Sequence, residues 1–129
     1  MKSLILLISL LYSICLFGQS WSVQSSGTIE KLESVFMINE NEGWVCGDAG
    51  VLLHTTNGGA NWNQVNITNE DLADVFFKDA LSGILVGDDG FIRRTTDGGA
   101  TWNFVASGTG SNLAAVSWSG SNVFISGRD

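Results

Sequence analysis

The residues of this chain that could do chemistry are few, and their spacing does not suit it. The acids Asp48, Asp88, Asp89 and Asp97 sit among glycines. Two carboxyl groups held about 5 to 9.5 Å apart across a glycosidic bond can hydrolyse it. Asp beside Gly is more simply a turn residue whose side chain bonds nearby backbone. Calcium, which takes oxygen ligands, would be the ion for Asp88-Asp89-Gly90 with Asp97. Forty residues earlier the matching positions are Asp48, Ala49 and Asn57, so the ligand set does not recur. No metal and no cofactor is expected. A hydrolase for acidic sugars needs clustered arginines and a tyrosine nucleophile. The chain has one tyrosine, Tyr12, and three arginines, Arg93, Arg94 and Arg128. Neighbours on a strand point to opposite faces, so Arg93 and Arg94 make a poor cluster. His54 has no nameable Ser and Asp partner for a triad. The chain reads as non-enzymatic, with His54, Arg93 and Arg94 as the candidate interaction surface.

The elements that would position these residues are set by a duplication. Thr95-Thr96-Asp97-Gly98-Gly99-Ala100-Thr101-Trp102 repeats Thr55-Thr56-Asn57-Gly58-Gly59-Ala60-Asn61-Trp62. Asp or Asn can bond its own backbone two residues on, and Gly-Gly supplies positive φ without steric cost. The Trp brings a large ring back beneath the turn. Asn57, Gly58, Gly59 and Trp62, with Asp97, Gly98, Gly99 and Trp102, are therefore structural turn residues.

The duplication extends further, since Ser34–Trp62 aligns with Asp74–Trp102 without a gap at a period of 40. Such a period with four short strands per unit is that of a β-propeller blade. Helical repeats are disfavoured because Gly-Asp-x-Gly and Asp-Gly-Gly would cut a helix. The strands expected are Ser34–Ile38, Gly43–Cys46, Val51–Thr56 and Trp62–Asn66, then the same forty residues on. Gly47-Asp48-Ala49-Gly50 and Gly87-Asp88-Asp89-Gly90 have the composition of tight hairpin turns. The fold class is all-β, an incomplete propeller of four-stranded blades. An orphan strand spans 21–25, one blade 32–66, a second blade 72–106 and a half blade 113–129. A ring needs about four to eight blades, so the remaining blades are expected in the same or another chain. Trp44 aligns with Ile84 and is expected between blades rather than on a sugar.

The first twenty residues read as a signal peptide: Lys2, an apolar run from Leu4 to Phe17, and Gly18-Gln19-Ser20 as a cleavage site. That run is shorter than the roughly 20 apolar residues of a membrane span. A secreted, periplasmic or cell-surface location is expected, with no membrane span in the mature chain. All 13 carboxylates lie beyond the leader, and the net charge is −7. That balance disfavours nucleic acid as a partner. With Cys15 in the leader, Cys46 is left without a disulfide partner and aligns with Val86, as a small buried residue would.

The octapeptide is similar to the Asp-box, or BNR-like, turn of sialidase-type propellers. The longer pattern joins Val75-Phe76-Phe77, Gly87-Asp88-Asp89-Gly90 and Arg94 to Trp102. It resembles the repeats of the photosystem II stability and assembly factor family, and the resemblance runs from about Trp21 to Asp129. It implies a seven-bladed propeller and a binding role toward newly made photosystem subunits. The functional expectation is a secreted binding or scaffold module, probably the N-terminal part of a longer protein, with a protein or cell-surface glycan as partner. The alternative is a fragment of a sialidase-like or other carbohydrate-active enzyme whose catalytic residues lie elsewhere.

Overall fold

The computed structural model describes residues 21–128. The signal-peptide reading of residues 1–20 lies outside the described residues, as does Asp129. The first sheet contains β1 (Leu32–Met37), β2 (Gly43–Gly47), β3 (Leu52–Thr55) and β4 (Asn63–Gln64), paired in that order. The second repeats it with β5 (Leu72–Phe77), β6 (Gly83–Gly87), β7 (Ile92–Thr95) and β8 (Asn103–Phe104). A third unit is the hairpin of β9 (Asn112–Ser119) and β10 (Asn122–Arg128). All pairings are antiparallel. The architecture is the expected all-β, incomplete propeller.

The register repeats as the sequence does. Val35 opposes Val45, and Val75 opposes Leu85. A bulge at Glu33 recurs at Ala73 and at Ala114. In the third unit the match moves to 41 residues, so that Leu113 stands where Leu72 stands and Phe124 where Ile84 stands. The fourth strand of each full blade is two residues long, shorter than Trp62–Asn66 and Trp102–Ala106. One further bond from Val65 N–H to Leu52 O, 2.8 Å, ends the pairing, because the outer strand has water rather than a neighbour on its far side.

The orphan strand expected at 21–25 is corrected: residues 21–26 are in no ladder. A strand needs a neighbour's backbone groups, and no such edge lies beside this segment among the described residues. Only Gln24 anchors it to blade 1, donating to Gly58 O at 3.4 Å and accepting from Trp62 Nε1 at 3.4 Å.

The core lies between sheets, as in stacked blades. One face of blade 1, with Trp44, Cys46 and Leu52, packs on Leu72, Val75, Phe77 and Leu85 of blade 2. The far face of blade 2, with Ile84, Val86 and Ile92, packs on Leu113 and Val116 of the third unit. Strand β1 lies against β5 and β5 against β9, as the inner strands of a ring do. Asp74 joins these three strands. Its Oδ1 accepts from Ser34 Oγ at 2.6 Å, and its Oδ2 accepts from Val116 N–H at 2.9 Å. Among the described residues no helix is long and apolar enough to cross a membrane.

Candidate protein-binding surface

Each blade has two ends, and they differ in chemistry. At one end lie the duplicated octapeptide turns. Their hub is a threonine, buried in both copies. Thr55 Oγ1 accepts from the N–H of Asn57 (3.3 Å) and of Gly59 (2.9 Å), and donates to Asn57 Oδ1 (3.0 Å). Asn57 Oδ1 then accepts from Asn61 N–H at 2.9 Å. Thr95 and Asp97 repeat these bonds, and Thr101 Oγ1 adds a donation to Asp97 Oδ2 at 2.6 Å. The donated bonds from the Thr101 side chain, the Thr101 N–H and Thr95 lower the Asp97 pKa to about 2. The turn acid thus bonds four residues on, rather than two. Gly58, Gly59, Gly98 and Gly99 all have positive φ. Trp102 meets Trp44 edge-on at 5.6 Å, and Trp62 covers Val45, Val51 and Leu53. Thr55 and Thr95 escaped the sequence reading, although their identity in both copies was a usable signal.

His54, Arg93 and Arg94 do not converge on one surface, which corrects their grouping. His54 stacks on Trp44 at 4.1 Å, with Nε2 3.3 Å from Glu42 Oε1. Arg93 lies over the Phe91 and Phe104 rings, at 4.9 and 5.3 Å. Arg94 opposes Ile84 and projects from the other face of β7, beside an apolar hollow formed by Ile92, Val105 and Ile125. Two of the three are occupied in covering aromatic rings. Asp97 is likewise separated from Asp88 and Asp89, because β7 runs the length of the blade between their turns. Among the described residues no group of three acids, His or Cys could hold a metal ion. Burial pushes the Cys46 thiol up to about 12, so it is not a thiolate nucleophile.

The opposite end is built by the turns between second and third strands. Val51 N–H closes on Asp48 O at 3.1 Å, with Ala49 (φ 55°) and Gly50 (φ 73°) both left-handed. A Cβ on Gly50 would collide with the Thr68 carbonyl oxygen, so glycine is required there. The following unit locks each turn. Asp71 Oδ1 accepts from Ala49 N–H at 2.7 Å, and Asn112 Oδ1 accepts from Asp89 N–H at 3.1 Å. Around these locks runs an open polar groove lined by Lys31, Glu33, Asp48, Asp71, Asp88 and Arg128. Lys31 pairs with Glu33, whose bond and charge raise its pKa. Four carboxylates and two cations offer bonds to a polar chain. The sequence reading missed this groove, because its residues come from β1, β5, β10 and two turns.

Sheets of one repeat, stacked face to face around inner strands, define an arc of a β-propeller carrying Asp-box turns. Residues 15–72 match the model of the family described as photosynthesis system II assembly factor YCF48. No curated protein matches the chain by sequence. A solved structure described as YCF48 bound to D1 peptide is similar at 26% identity and a TM-score of 0.57 over 60% of this chain. YCF48 from Cyanidioschyzon merolae is similar at 22% identity and a TM-score of 0.68 over 81% of this chain. This chain spans 27% and 37% of those two proteins. Its repeats are photosystem II assembly factor-like.

Proposed function

We propose that this chain is a non-enzymatic propeller module that acts outside the cytoplasm and holds a polar segment of a partner protein. The carrying observation is the groove of Lys31, Glu33, Asp48, Asp71, Asp88 and Arg128 at the ends of the inner strands. It offers charges of both signs to an extended chain and no nucleophile. The likeness to YCF48 bound to D1 peptide supports a peptide as the occupant. The leader pattern at residues 1–20 supports the location. The module works as an arc of a propeller with more blades than those described. The hydrolase reading has less support, since Arg93 and Arg94 leave opposite faces of one strand.

The test is a titration of the ¹⁵N-labelled chain with a synthetic D1 peptide, followed by amide shifts. Saturable shifts are expected around Lys31, Asp71 and Arg128, weakened by Arg128→Glu and Glu33→Lys. Shifts confined to the octapeptide turns, or none, would overturn the assignment of the groove.

A further inference from the structure

The two open ends of the arc carry the two halves of one interface. Inside the molecule that interface is seen complete. Blade 1 presents Trp44 to blade 2, where a Cβ on Gly99 would land on the Trp44 indole. Around it Val75 and Leu72 are 2% and 1% exposed. The same receiving face exists on blade 1, forty residues earlier, with no blade against it. There Val35 is 64% and Leu32 40% exposed, and Met37 stands in the place of Phe77. Gly59 repeats Gly99, and what lies on it is not an indole but the Gln24 amide. A polar side chain thus sits where the internal interface has an aromatic ring.

The presenting face also recurs with nothing against it. Phe124 occupies the position of Trp44, since Trp44 opposes Phe36 and Phe124 opposes Ser117 in the same register. Phe124 is 59% exposed. Beside it Ala115 and Ser117 are small, leaving a shallow apolar surface around one protruding ring.

We infer that the third unit of one copy of this chain docks on blade 1 of a second copy, head to tail, with Phe124 displacing Gln24 from Gly59 and Trp62. The occupant is fixed by the two internal interfaces, which join the same positions of successive units in the same order. The contact is heterologous, so repeated docking closes a ring or extends a filament, depending on the angle per copy. This rests on the reading of the chain as an arc, and not on its binding a peptide.

The test measures molar mass by light scattering from about 1 to about 200 µM, a range that reveals a Kd near 10 µM. Wild type should grow in mass with concentration. Val35→Glu blocks the receiving face and Phe124→Glu the presenting face, so each alone should remain monomeric. Mixed in equal amounts they should form a dimer and stop there, because each retains the half the other lacks. Both sites are exposed, and unchanged circular dichroism and melting will show that the variants are folded. A folded wild type that stays monomeric throughout overturns the proposal. So does a mixture that stays monomeric, or a mass increase that neither variant reduces. None of these results bears on the D1 peptide titration, which reads the groove separately.

Discussion

Blade 1 and blade 2 have nearly the same sequence and the same ladder, yet they differ in what their positions contribute. Leu32 and Leu72 open the equivalent strands, and Val35 and Val75 oppose equivalent partners. Blade 2 has a neighbour on both faces, and blade 1 on one only. Burial, and with it most of the stabilisation, belongs to the stacking of units rather than to any unit alone. The octapeptide turns differ in the opposite sense. Their hydrogen bonds are nearly identical in the two blades, because every partner lies within four residues.

The largest effect that tests this contrast is a pair of identical substitutions. Leu72→Ala should cost about 2 to 5 kcal/mol, as for other buried leucines, while Leu32→Ala should cost no more than about 0.5 kcal/mol. Chemical denaturation measures both, and equal costs would mean that blade 1's open face is covered in solution. Thr55→Val and Thr95→Val should each cost about 1 to 3 kcal/mol, since each strands the N–H of a buried glycine. Unequal melting temperatures for these two variants would show that the turns are not independent of their blades. Ala49→Asn should stabilise by about 0.5 to 1 kcal/mol, because alanine is strained at φ 55° and Asn tolerates that region. In blade 2 the same position is already Asp89, so a gain there from Asp89→Asn should be smaller.

The last prediction concerns pH. Asp97 is held at about 2, below the value near 3.9 expected of an unfolded Asp. Its contribution is present above the unfolded value and fades as pH falls from there through about 2. Asn57, its counterpart, does not titrate. The stability difference between wild type and Asp97→Asn should therefore be constant at neutral pH and shrink below about pH 4. A carboxyl NMR titration of Asp97 with a midpoint near 4 would remove the basis for this.

Much of the architecture was legible because it is local or periodic. Gly58-Gly59 and Gly98-Gly99 announce positive φ, and the period of 40 announces four-stranded blades. The Asp71 lock on Ala49 N–H and the Asp74 link to Ser34 and Val116 were not legible. Their partners lie 22, 40 and 42 residues away and come into reach only when the sheets stack. For the same reason His54, Arg93 and Arg94 looked like a patch in one dimension and separate in three. His54 is drawn onto Trp44 and Arg93 onto two phenyl rings, through contacts that spacing along a strand does not encode.

By itself the sequence determined the repeat, its turns and its strand order, because those follow from backbone preference and bonds spanning a few residues. Only the tertiary structure decided which of two equivalent valines is buried, which charges line a common groove, and which faces are left open. Those outcomes depend on the neighbour a sheet finds, and identical residues cannot report a difference in what lies against them.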